Sequence, residues 1–206
     1  MTRAYHLTFT ITALLYLILL PWPLPFDALL KILPIAVLAL AVLRQATVQY
    51  RPLVLLALVF SASGDVLLEF DWFVAGVAAF LIAQVGYAVL FFNYRKSWTN
   101  RWPASLALVV YIALMAWVLL PNLGEMTAPV VAYLTVISAM GLLALQSRLS
   151  LFPAVIGALV FISSDSMIAI DRFLAPLPLR SYWIMITYYG AQWLLILGFL
   201  SVRTDR

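Results

Sequence analysis

Hydrophobic residues along this chain come in long unbroken runs, parted by proline, charge or short polar clusters and lacking the every-second-residue alternation of a half-buried strand. Runs of that kind predict helices, with segments near residues 5–21, 26–43, 52–70, 72–93, 103–120, 128–146, 150–170 and 180–201. Pro52, Pro103, Pro129 and Pro153 stand where helices begin or make their first turns, positions at which a missing N–H costs little. The connections are mostly short, which suits antiparallel neighbours. The first run is short enough to resemble a secretory signal, but PWPLPF after it offers no small-residue cleavage pattern and a second span follows at once. The expectation is an all-α, polytopic membrane protein: an eight-transmembrane-helix bundle forming a single domain over residues 1–206.

Composition sharpens this picture. Of 206 residues 66% are hydrophobic and 10% charged, too few charges to clothe a water-soluble globule of this size. With lipid as solvent, backbone polar groups must be satisfied within helices or a closed barrel, and the unbroken runs select helices. The absence of cysteine excludes disulfides, a thiol nucleophile and thiolate metal sites. A single histidine, His6 beside the amino terminus, argues against a histidine triad or a multi-histidine metal centre.

The net charge of +4 does not point to nucleic acid, because the basic residues are scattered singly between apolar runs. They read as topology instead. Arg3, Arg44, Arg51, Arg95, Lys96, Arg101, Arg148, Arg203 and Arg206 belong to the termini and the second, fourth and sixth connections. Only Arg172 and Arg180 belong to the opposite set, with Lys31 inside a helix, so both termini are expected in the cytoplasm of a bacterial inner membrane. Acidic Glu69, Asp71, Glu125 and Asp171 then fall on the outer side, and Trp22, Trp72, Trp98, Trp102 and Trp183 near segment ends read as interface anchors.

Residues 61–73, SASGDVLLEFDWF, align without a gap on residues 161–173, FISSDSMIAIDRF. Ser63, Asp65, Asp71 and Phe73 match Ser163, Asp165, Asp171 and Phe173, an offset of half the chain that makes the third and seventh helices equivalent in a parallel 4+4 internal repeat. Two of the matched pairs are carboxylates, which an apolar chain supplies rarely.

Asp65 and Asp165 are the candidates for chemistry. A carboxylate at the middle of a membrane helix costs about 2.5–3.5 kcal/mol on insertion scales, so each needs a partner or a water-filled pocket. At about 1.5 Å per residue, Asp65 stands roughly 20 Å above the inner end of its helix and Asp165 roughly 22 Å, with Lys31 roughly 7 Å below the outer end of the second helix. Three ionisable groups therefore meet one level. Small and hydroxyl residues make room beside the acids: Ser61, Ser63 and Gly64 before one, Ser163 and Ser164 before the other. Such residues equally permit close helix packing, in which case each aspartate bonds a neighbouring helix and Lys31 snorkels to the surface.

Two carboxyl groups in one poorly hydrated cavity do not both ionise cheaply. One protonated beside one ionised is an acid and a base, the equipment for cleaving an acetal-like or vinyl ether linkage through an oxocarbenium-like cation. The same pair also suits a proton relay in a transporter. Tyr188 and Gln192, four residues apart, share a helix face at middle depth and are expected to line the pocket, as are Gln84 and Tyr87 on the fourth helix.

The chain resembles the lysoplasmalogenase, or YhhN-like, family of membrane proteins in KILP at residues 31–34, FSASGDVLL at 60–68, FVAGVAAFLIAQVGY at 73–87, GALVFISSDSMIA at 157–169 and YYGAQWLL at 188–195. These motifs are spread over most of the chain in the family's order. The resemblance implies an eight-helix bundle that hydrolyses the vinyl ether bond of lysoplasmalogens to a fatty aldehyde and glycerophosphocholine or glycerophosphoethanolamine. It implies Asp65 and Asp165 as the catalytic pair, with Lys31, Ser63, Gln84, Tyr87, Ser164, Tyr188 and Gln192 around the substrate and Lys31 as a partner for its phosphate. Gln84 departs from the family's FL-x-x-H stretch, where histidine is frequent.

The expected partners are a lysophospholipid with an alkenyl chain and membrane lipid, with no nucleic acid, no cofactor and no metal. A proton-coupled transporter or lipid-handling membrane protein using the same two acids is the competing reading, and a membrane scaffold indifferent to both acids is a third.

Overall fold

The computed structural model describes residues 1–22, 24–44, 50–96 and 100–201; Trp98, Arg203 and Arg206 lie outside them. Eight α-helices occur among the described residues, with no strand: α1 (Arg3–Leu19), α2 (Asp27–Arg44), α3 (Arg51–Glu69), α4 (Phe73–Asn93), α5 (Trp102–Leu119), α6 (Thr127–Leu145), α7 (Ile156–Phe173) and α8 (Arg180–Leu200). Two 3-10 turns join α5 to α6, and a wide five-residue turn, Leu151–Val155, leads into α7. Pro52 and Pro103 stand in the first turns of α3 and α5, where no helical acceptor needs an N–H. Phe152 is extended, so the seventh helix starts later than the apolar run suggests and continues to Phe173, taking Asp171 and Arg172 into its last turns.

Six of the eight helices, α3 to α8, are long and apolar enough to cross a membrane, and the protein is an integral membrane protein. The 17-residue α1 is shorter, and α2 carries three charged residues, Asp27, Lys31 and Arg44.

Burial ranks the helices. Half of the α8 span is buried against 11% for α5, which makes α8 the centre of the bundle and α5 an outer wall. Close approach of helix backbones sets the geometry around the acids. A Cβ on Gly64 of α3 would lie 2.5 Å from the Phe80 ring of α4, and one on Gly198 of α8 would lie 2.7 Å from the Cα of Ala154. Small residues at these crossings substitute for the hydrophobic driving force that lipid does not provide. The same neighbours recur in both halves: α3 packs on α4 and α7 on α8, α2 on α3 and α6 on α7, α4 on α6 and α8 on α2.

At one end, the connections after α4 and α6 are stitched together. Lys96 N–H donates to the Gln146 carbonyl at 3.0 Å and Arg148 N–H to the Tyr94 carbonyl at 2.7 Å. At the other end the last turns of α3 and α7 meet the first turns of α2, α4 and α8 around a polar cavity of about 480 Å³. Trp22, Trp72, Trp102 and Trp183 are exposed near helix ends. His6 ties α1 to α8, its Nδ1 accepting from Trp193 Nε1 at 3.1 Å.

Candidate active site: two aspartate–tyrosine pairs

Each intramembrane aspartate receives a tyrosine hydroxyl from another helix. Asp65 on α3 is 3% exposed, and its Oδ2 accepts from the Tyr188 hydroxyl of α8 at 2.7 Å. Asp165 on α7 accepts from the Tyr133 hydroxyl of α6. A carboxyl oxygen taken from water into an apolar bundle costs several kcal/mol without such a donor. The two acids also lie close enough to feel one another's charge.

Behind Asp65 the polar network continues inward. Tyr87 of α4 donates to Gln192 Oε1 at 2.5 Å, both residues fully buried, and Gln192 stands beside Tyr188 one turn earlier on α8. Tyr87 stacks on Phe199 with rings 6.2 Å apart and nearly parallel. Three of the expected pocket residues, Tyr87, Tyr188 and Gln192, are thus brought to one side of Asp65 as a sealed network.

Asp165 differs in access. It lines a narrow cavity between α4, α5, α6 and α7 whose other lining side chains are apolar apart from Tyr133 and Ser166. Gln84 of α4 is fully buried beside Asp165 and Tyr133 and turns its side-chain amide toward both. Phe80 links the two acids, lining the Asp165 cavity while its ring meets Gly64 and lies 5.9 Å from the Tyr188 ring.

Not all expected residues come to the pair. Ser63, two residues from Asp65, points to the opposite face of α3 and bonds the Val59 carbonyl in an outer groove against α2. Ser164 is buried against α8, donating to the Ile184 carbonyl at 3.1 Å. Ser166 takes the cavity face of α7 instead. Lys31 lies in the polar end cavity, its Nζ 3.0 Å from Glu69 Oε2. Its charge bears on Asp65 from there. Pro34 has no N–H to give the Leu30 carbonyl one turn back, and next to that gap the Lys31 carbonyl accepts from the Tyr189 hydroxyl at 2.8 Å.

The polar end cavity and the apolar one share Leu68, Phe73 and Ile168 in their walls. One volume is lined by charges and the other by hydrocarbon, the division found in a single-chain lipid. Among the described residues no three His, Asp, Glu or Cys side chains converge to hold a metal ion.

The YhhN family model matches residues 26–199, a stretch holding both aspartate–tyrosine pairs. The chain belongs to the YhhN family. Relatives include a Mycobacterium tuberculosis protein named lysoplasmalogenase, 34% identical over 157 residues, which are 71% of this chain and 60% of that protein. The Bos taurus lysoplasmalogenase TMEM86A is 33% identical over 214 residues, covering 95% of this chain and 88% of its own, and the Homo sapiens lysoplasmalogenase TMEM86B is 36% identical over 182 residues, covering 85% and 76%. The match thus spans about 60% of the length of the mycobacterial relatives. No solved structure matches the chain.

Within this YhhN protein, sequence reasoning passed over Tyr133, Phe80, Ser166 and the pairing of Lys31 with Glu69. Membrane tyrosines are usually interfacial, so beyond Tyr87 it was the i, i+4 pairing of Tyr188 with Gln192 that drew attention. Tyr133 offered no such neighbour, and its partner lies 32 residues away on the next helix.

Proposed function

We propose that this protein is a lysoplasmalogenase, hydrolysing the vinyl ether bond of a lysoplasmalogen to a fatty aldehyde and glycerophosphocholine or glycerophosphoethanolamine. The observation that carries this reading is Asp165 with its tyrosine at the wall of an apolar cavity that adjoins a charged one, coupled to a second, sealed aspartate. The names of the relatives support it.

In this mechanism the alkenyl chain lies in the apolar cavity and the head group in the polar one. Asp165, protonated, delivers its proton to the vinyl carbon remote from the ether oxygen, and the double-bond electrons form the new C–H bond. The resulting oxocarbenium ion takes water at the carbon bearing oxygen, and Asp65 receives the proton that the water releases. The hemiacetal then collapses: the departing glycerol oxygen takes the proton from Asp65 while the hemiacetal hydroxyl gives its proton to Asp165, leaving aldehyde, free glycerol hydroxyl and both acids as they began, with one water consumed. Phe80, in the cavity wall and against Gly64 and Tyr188, is the ring that the water must pass to reach Asp65. Tyr188 and Tyr133 hold the acids in position, Gln84 steadies Asp165 and Tyr133, and Tyr87 and Gln192 brace Tyr188. Ser63 and Ser164 serve helix packing, and Lys31 acts on Asp65 through its charge.

The same reading takes all eight helices as spanning, residues 1–206 as a single transmembrane domain, both termini in the cytoplasm, and the membrane as a bacterial inner membrane. The recurrence of helix neighbours at the 100-residue offset supports a parallel 4+4 repeat, since α2 and α8 flank Asp65 as α6 and α4 flank Asp165.

Purified protein mixed with lysoplasmenylethanolamine should release aldehyde and glycerophosphoethanolamine in equal amounts. Lipid transferred between vesicles without bond cleavage would favour the transporter reading instead.

A further inference from the structure

Three cations, Lys31, Arg172 and Arg180, line the polar end cavity together with four carboxylates, Asp27, Glu69, Asp71 and Asp171. Two of the cations are occupied. Lys31 pairs with Glu69 at 3.0 Å, and Arg180 pairs with Asp171 at 2.6 Å, where the second Asp171 oxygen accepts from the Leu177 N–H at 2.9 Å. Arg172 has no carboxylate within ion-pair distance among the described residues. Its guanidinium lies over the Phe73 ring, 4.9 Å from the centroid, and the residue is exposed at the cavity. Phe73 walls both cavities and packs edge-on against Phe173, a wall of the apolar one. The unpaired cation therefore stands at the junction of the charged and the apolar space.

Spacing adds a second constraint. Asp165 and Arg172 are seven residues apart on α7, two turns, so they project from one face with a rise between them of about 10 Å. In a lysoplasmalogen the vinyl carbon that takes the proton and the phosphorus are seven bonds apart, about 9 Å when extended. That span is close to the rise between the two side chains, so a carboxyl at the vinyl carbon and a guanidinium at the phosphate can stand on one helix face. A guanidinium presents the planar fork that suits two phosphate oxygens at once.

We infer that Arg172 binds the phosphate of the lysolipid, fixing how far the chain enters the apolar cavity and thereby bringing the ether bond level with Asp165. The inference rests on the lysophospholipid reading above, and it moves the phosphate from Lys31, which Glu69 holds, to Arg172.

Binding separates it from catalysis. The probes are an alkyl-ether lysophosphoethanolamine, which has no vinyl bond to cleave, and the alkylglycerol of the same chain, titrated into full-length protein in detergent and followed by tryptophan fluorescence. Arg172→Gln should weaken the phospholipid about tenfold or more. Arg172→Lys should recover part of that loss, and the alkylglycerol should bind all three proteins alike. Equal phospholipid binding by wild type and Arg172→Gln, an equal loss for the alkylglycerol, or no phospholipid binding by the wild type would each overturn the assignment. Turnover of the vinyl ether, measured separately, decides the hydrolase reading alone: a wild type that binds through Arg172 but cleaves nothing sinks that reading and leaves this one standing.

Discussion

Asp65 and Asp165 occupy matching positions in two similar stretches of sequence, yet their surroundings divide the work. Asp65 is sealed: Tyr188 caps it, Gln192 and Tyr87 extend a buried network behind it, and Gly64 lets Phe80 close over the neighbouring backbone. Asp165 is open to an apolar cavity, with the buried Gln84 amide beside it. The contrast shows how two acids at matching sequence positions become different groups through their neighbours. The helix position is common to both, while the tyrosine comes from α8 in one case and from α6 in the other. Access differs too: the packing of α5 and α6 around α7 leaves Asp165, and not Asp65, at the wall of the apolar cavity.

The contrast breaks most decisively at the open acid. Asp165→Asn should lower kcat about 10³-fold, because it removes a proton donor without changing shape, and Asp65→Asn should cost about 10²-fold. Steady-state aldehyde release by both variants, with helix content checked by circular dichroism, measures the difference. Equal activity of either variant and wild type would remove that aspartate from the chemistry.

The tyrosines sharpen the comparison at a smaller scale. Tyr188→Phe strips the sealed Asp65 of its donor and should destabilise the protein by about 1–3 kcal/mol. Tyr133→Phe should cost less stability, because Asp165 borders a cavity, and more activity. Thermal melting and kcat for the two variants should therefore rank in opposite orders, and the same order in both would erase the division of roles. The smallest effect belongs to Lys31→Gln. Its ion pair with Glu69 is partly exposed, with side chains 12% and 32% accessible, so its loss should change stability by about 1 kcal/mol or less.

The helices were legible in the sequence because long apolar runs admit no other solution in lipid, and their order and number follow from prolines and charges alone. Boundaries slipped where the backbone broke the pattern: Phe152 reads as helical by hydrophobicity but is extended, and α7 runs on through polar Asp171 and Arg172. The two aspartates were legible because a carboxylate inside a membrane helix demands a reason. Their partners were less so, since a hydrogen bond between residues 123 positions apart, such as Tyr188 with Asp65, leaves no trace in local spacing. Ser63 and Ser164 looked like part of the site because they adjoin the acids in sequence, but a helix turns about 100° per residue and carries near neighbours to other faces.

The most direct test of acid delivery to the vinyl carbon is hydrolysis of lysoplasmenylethanolamine in D2O, with the aldehyde trapped and weighed by mass spectrometry. The account predicts one deuterium on the carbon next to the aldehyde group, at a rate that collapses in Asp165→Asn. Aldehyde without deuterium, or labelled aldehyde formed as fast by Asp165→Asn as by the wild type, would contradict it.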